Sequence, residues 1–360
     1  KRNIDMAYTT IDDPAVYFTT VLWTGNATGR NITTGMDAAM VWYKGKSYVS
    51  NHSIVDAVRG TTKVLIPNNT DEEATDSGSI TAFNSDNFTI GTAGGINADT
   101  KTYVGWCWKA GTTSGITTTG ADITPSAYSF NHTSRISIAA YTGNGSSGAK
   151  IAHGLGAIPE VMIIKPRDRA GQAWLVYHHK NTSSPETDYL ALDTDDATAD
   201  AAFPWNDAVP TSVYLETQTN NGTNASGNTF VLYTFRGVQG YSKFGSYIGN
   251  GNVDGAFVYT GFKPAFLLLK STTGGGDGWY MVDNKNNPFN EVDSNFFANS
   301  GNAISKAGSA AGDKKLDFLS NGFKIRTTNS ECNSSGVNYI YLAFAEEPFV
   351  NSNGVPCTAR

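Results

Sequence analysis

Apolar positions in this chain gather in short runs of Val, Ile, Leu, Tyr, Phe and Trp, broken every few residues by clusters of Gly, Asn, Asp, Ser and Thr. Such runs predict β-strands joined by turns, not amphipathic helices. The strongest run, Pro264-Ala-Phe-Leu-Leu-Leu-Lys270, belongs to a frame that is written three times. In the third copy Tyr247-Ile-Gly-Asn250 precedes the run and Trp279-Tyr-Met-Val-Asp283 follows it. The second copy reads Tyr141-Thr-Gly-Asn144, Pro159-Glu-Val-Met-Ile-Ile-Lys165 and Trp174-Leu-Val-Tyr177, with the same Pro-to-Lys and Lys-to-Trp spacings. The first is worn: Trp23-Thr-Gly-Asn26, Ala39-Met-Val-Trp-Tyr-Lys44 and Ser53-Ile-Val-Asp56, without the Pro. A closing pattern recurs as well, since Asn97, Asn224 and Asn333 each stand six residues before an aromatic: Tyr103, Phe230 and Tyr339. A period of roughly 105 to 120 residues has the size of a small domain rather than of a solenoid repeat.

Each copy carries five to eight short predicted strands bounded by turn residues, so the fold class expected is all-β, as tandem antiparallel β-sandwich domains of jelly-roll-like character. The expected divisions are an N-terminal arm (1–16), a divergent first sandwich (17–110), a Gly/Thr/Ser-rich linker (111–135), a second sandwich (136–237), a third (241–350) and a C-terminal tail (351–360). Low complexity around Gly111 to Gly120 predicts a segment unable to bury enough surface to hold itself. Copies two and three are joined with almost no linker, so those two are expected to pack closely and the first to stand apart.

Charge narrows the function classes. Only 16% of the 360 residues are charged, the net charge is −6, and no basic stripe occurs. A nucleic-acid partner needs clustered Lys and Arg, and is not expected. No apolar run approaches the roughly 18 residues of a membrane helix, and no hydrophobic leader follows Lys1, so neither a membrane span nor a signal peptide is expected. Three Cys give no disulfide framework: Cys107 reads as a small buried strand residue, and for Cys332 and Cys357 pairing stays open. About eleven Asn-x-Ser/Thr sites are close to what this Asn-, Ser- and Thr-rich composition yields by chance.

Several stretches together carry a resemblance: the Tyr-Thr-Gly-Asn and Gly-Phe-x-Pro frames, Asn287-Pro-Phe289, Phe318-Leu-Ser-Asn-Gly-Phe-Lys324, Tyr339-Ile-Tyr-Leu-Ala-Phe-Ala345-Glu-Glu-Pro-Phe349, and the opening Ala7-Tyr-Thr-Thr-Ile-Asp-Asp-Pro14. Over nearly its whole length the chain resembles repeat proteins of marine bacteriophages described as tail-fibre-like or virion structural proteins. The resemblance implies a place on the surface of a virus particle, with other virion proteins as partners, and no particular chemistry. By analogy with phage fibres, a homo-oligomer is expected, a trimer foremost, with the arm and the Gly/Thr stretch held between chains.

No residue set nominates a catalytic, cofactor or metal centre. Lys44, Lys165 and Lys270 each end an apolar strand, which fits a Lys snorkelling from a core or guarding a sheet edge. His178-His179 lacks any supporting ligand spacing and reads as a surface or turn pair; Asp193-Thr-Asp-Asp196 lacks the Gly and closing Glu of a calcium loop. Glu72-Glu73 and Glu346-Glu347 would point to opposite faces of a strand and cannot act as a carboxylate pair. For binding, a host-surface glycan could stack on Trp174, Trp205, Trp279 and Tyr280, with Asn and Asp taking the hydroxyls. Sandwich core is the reading favoured for strand Trp flanked by Leu or Met, so the glycan role competes with it.

Overall fold

The computed structural model describes residues 8–308 and 313–358. It is nearly all β, and the same sheet is built three times. In the first unit the strand order is Phe18–Thr24, Thr102–Trp108, Met40–Gly45, His52–Asp56, all antiparallel. The second repeats it with Ile136–Thr142, Thr229–Phe235, Val161–Pro166, Leu175–His178, and the third with Ser242–Ile248, Asn338–Pro348, Phe262–Ser271, Tyr280–Asp283. Register is kept too: the central pairs Trp42–Trp106, Ile163–Tyr233 and Leu268–Leu342 are equivalent. A small sheet covers one face of each large one: Arg30–Thr33 with Asn87–Ile90 and Ile80–Phe83, Ala149–Ala152 with Tyr214–Thr217, and Phe257–Tyr259 with Gly322–Ile325 and Leu316–Leu319.

The recurring motifs close each sandwich at one corner. The aromatics Trp23, Tyr141 and Tyr247 stack on Tyr103, Phe230 and Tyr339 at 5.4, 5.0 and 5.1 Å. Each also donates to the carbonyl just before the repeated Asn: Trp23 Nε1 to Ile96 at 2.9 Å, Tyr141 Oη to Thr223 at 2.6 Å, and Tyr247 Oη to Cys332 at 2.7 Å. The Asn side chains then accept from the facing turn, from the amides of Asn26, Asn144 and Asn250 at 2.9–3.0 Å. Glycine precedes those turns because chain passes against it: a Cβ on Gly25, Gly143 or Gly249 would lie 2.0–2.3 Å from a backbone oxygen.

The other face of each large sheet determines how the units are arranged. In the apolar runs every residue is buried. Alternate side chains go to opposite sides: Val41, Met162 and Leu267 into their own sandwich cores, Met40 and Trp42, Val161 and Ile163, Phe266 and Leu268 into one core shared by all three units. A run apolar at every position, rather than at every second one, is the pattern of a sheet covered on both faces. Phe344 sits in this shared core, its ring 5.0 Å from Phe18 and 5.6 Å from Trp108 of the first unit, and 6.1 Å from Phe235 of the second.

The first unit therefore does not stand apart, because its sheet supplies one wall of the shared core. Nor are residues 111–135 a free linker. Ala127–Asn131 adds an edge strand to the second unit's large sheet, and Ile123 is buried in that unit's own core. The arm is likewise held by its own chain: Ile11 enters the shared core, and Thr9 Oγ1 donates to Gln239 O at 2.8 Å. Of the segments that suggested an oligomer, residues 8–16 and 111–135 are thus packed within one chain, and residues 1–7 lie outside the described residues.

Candidate functional site: the seams between the units

The four aromatics weighed as glycan platforms are interior, none more than 1% exposed. A sugar cannot stack on a ring already covered on both faces. Trp205 packs edge-on against Tyr177 at 5.8 Å and donates to Asp188 O at 3.0 Å; Tyr280 lies edge-on to Phe297 at 6.1 Å. On the third unit's outer strand Phe257 and Tyr259 are 49% and 46% exposed, Tyr259 with the Lys243 ammonium over its ring at 5.3 Å.

Trp174 and Trp279 do something that spacing alone did not reveal. Each lies at the rim of its sheet, and its indole donates into a neighbouring unit: Trp174 Nε1 to Ile66 O at 3.0 Å, and Trp279 Nε1 to Ala191 O at 2.8 Å. The first unit has His52 at this place, paired with Lys44, and its Nε2 reaches Phe297 O at 3.0 Å. Trp42 Nε1 donates to His52 Nδ1 at 3.0 Å, so the imidazole proton is on Nε2 and His52 acts as a neutral donor like the indoles. Burial holds His52 well below the usual imidazole range.

The contacts close head to tail: second unit to first, first to third, third to second. Two backbone bonds repeat beside each ring donor. Gly171, Gly276 and Ser50 donate to Thr70, Asp195 and Gly301 at 2.8, 3.1 and 2.9 Å, and Glu73, Thr198 and Ile304 donate to Arg167, Thr272 and Lys46 at 2.7, 3.0 and 3.0 Å. A heterologous contact that returns to its start after three steps is a closed ring, here made within one chain.

The three strand-end lysines are neither snorkelling nor guarding an edge. They are buried, with ammonium groups bonded to backbone carbonyls: Lys44 to Gly45 and Gly301 at 3.1 Å, Lys165 to Gln172 at 2.5 Å, Lys270 to Asp277 at 2.8 Å and Asp195 at 3.3 Å. Burial brings all three down to about 8. Lys44 and Lys270 thereby cross a seam.

Below the rim, equivalent strand ends place Asp56, His178 and Asp283 around the shared core. Tyr233 Oη donates to Asp56 at 2.7 Å and Trp106 Nε1 to Asp283 at 3.2 Å, again across units. His178 is buried, not a surface residue: its Nδ1 accepts from the Lys180 amide at 3.1 Å and its Nε2 donates to Tyr341 O at 3.2 Å. Burial, then neighbouring His179, lowers it to about 3. Asp56 also pairs with buried Arg59 at 2.6 Å.

Among the described residues no three His, Cys, Asp or Glu side chains gather in a way that could hold a metal ion, and no helix is long and apolar enough to cross a membrane. Cys107, Cys332 and Cys357 are free thiols. The family model described as a domain of unknown function, DUF7483, matches residues 13–348, and the chain belongs to that family. The match runs through all three units. No curated protein and no solved structure shows significant similarity to the chain.

Proposed function

We propose that this chain is a non-enzymatic structural component of a bacteriophage particle, tail-fibre-like or otherwise borne on the virion surface, which supports attachment to the host. The observation that carries the reading is the closed ring. Lys44 and Lys270, the rim indoles and imidazole, and the Asp56 and Asp283 carboxylates are all engaged in bonds that hold unit to unit. Groups committed in this way serve rigidity, not turnover. Two of the motifs that carry the resemblance, the Tyr-Thr-Gly-Asn frame and Tyr339, build the sandwich corners.

Three like units in one chain present three outer faces, the arrangement a homotrimer would otherwise supply, and seat naturally on a three-fold partner within the particle. The test is immunogold labelling of purified particles of the virus that encodes the chain, paired with light scattering of the isolated protein. Labelled particles and antibody-blocked adsorption are expected. Antibody that binds the free protein yet never labels particles would overturn the proposal. A second reading, a carbohydrate-binding protein acting on a cell-surface polysaccharide, is favoured by one observation, an open polar cleft at one of the three seams.

A further inference from the structure

The three seams are equivalent in backbone but not in filling. Where the second unit meets the first, three charged side chains occupy the groove: Glu73 receives Arg167 through two bonds of 2.9 Å and Arg59 through one of 3.0 Å. Where the first meets the third, the corresponding positions are Asn286, Ile304 and Lys46, and Ile304 packs onto the shared core. Where the third meets the second, they are Asn181, Thr198 and Thr272. These short side chains cannot fill the same space, and an open cleft of about 650 Å³ results.

We propose that this cleft is a binding site for an acidic oligosaccharide. Its exposed lining is Thr182, Ser183, Thr273 and Lys180, polar groups that exchange readily for the water around sugar hydroxyls, while deeper in the wall the Thr198 hydroxyl donates to Asn181 Oδ1 and the Thr272 hydroxyl to Asn338 O. On its floor Asn181 is only 3% exposed; its Oδ1 accepts from Thr198 Oγ1 at 2.7 Å, while its Nδ2 has no partner in the chain. That donor is closed to solvent beneath the floor, so the groups a ligand meets are those of the exposed lining. The charged group lining the cleft is Lys180, exposed at the rim, so the complementary ligand carries a carboxylate or sulfate. The volume suits two or three sugar rings and is far larger than a lone phosphate needs. This inference takes its purpose from the attachment reading, but its test does not depend on particle labelling.

The test is calorimetric titration of the whole chain with trigalacturonate, against maltotriose as the neutral probe. Trigalacturonate is expected to bind, more weakly as salt rises, with maltotriose at least tenfold weaker. Lys180→Gln should remove most of that difference. Asn181→Arg with Thr198→Glu and Thr272→Arg, which copies the charged filling of the neighbouring seam, should abolish binding. Should that triple variant fail to fold, Thr273→Trp at the exposed rim blocks the cleft with no buried change and should also abolish binding. No heat from trigalacturonate up to about 10 mM, weaker than any useful site, would overturn the proposal. Equal binding of the two sugars, or unchanged binding by both Lys180→Gln and Thr273→Trp, would overturn it as well.

Discussion

Replacing Phe344 with alanine tests whether three sandwiches share one core or merely touch. The ring is buried, and six aromatic rings lie around it at 5.0–6.3 Å: Phe18, Trp108, Phe235, Tyr241, Phe244 and Phe266. A core Phe→Ala change costs about 3–5 kcal/mol, and lost edge-to-face pairs push this case to about 4 kcal/mol or more. With a urea m-value of about 3 kcal/mol per molar, a loss of about 4 kcal/mol lowers the midpoint by about 1.3 M. The readout is informative because four of the seven tryptophans, Trp23, Trp42, Trp106 and Trp108, are in the first unit, while the substitution is in the third. If the core is shared, tryptophan fluorescence and far-UV circular dichroism shift together in a single transition. Two or more steps, with the fluorescence step of the first unit left in place, would refute the shared core.

Further outcomes follow from the seams. Arg59→Met removes one partner of a buried pair and strands Asp56, so it should cost about 3–5 kcal/mol in urea melts, and Asp56→Asn on that background should recover part of the loss. Lys44, Lys165 and Lys270 have folded values near 8, below the ordinary lysine value of 10.5. Their unfolded forms bind more protons between those limits, so stability should rise from about pH 8 to 10, before tyrosine ionisation enters, and Lys270→Met should flatten the slope. For the histidines the loss comes with acid: His153 and His178 are lowered to about 4 and about 3, and His52 falls well below its ordinary value, all by burial. Their contribution is complete above about pH 6.5 and declines as pH falls towards those folded values, by about 1.4 kcal/mol per unit for each histidine. A midpoint that does not fall between pH 6.5 and 4.5 would contradict their burial as neutral groups.

Local chemistry in the sequence determined much of this protein. Strand runs, turns and the threefold recurrence follow from side-chain type and spacing, and the recurring Asn, Gly and aromatic positions proved to be the corner that closes each sandwich. The same text misplaced what depends on the sheet's second face. Pro264 to Lys270 is apolar at every position, which a strand gains only when covered on both sides; read as one wall of an isolated sandwich, it gave separate domains and a detached first unit. Trp174 and Trp279 were legible as strand aromatics, yet their indole donors meet carbonyls about 90 to 110 residues away, Ile66 and Ala191, and no local signal announces such a partner. His52 hid for a subtler reason: an imidazole stands where the other copies have an indole, and only the register with Lys44 reveals that both present a ring N–H at the same place. The cleft beside Asn181 was beyond sequence altogether, because it exists by comparison. It is the space left where Thr and Asn replace an Arg–Glu–Arg cluster, and that space has no dimensions until three units close into a ring.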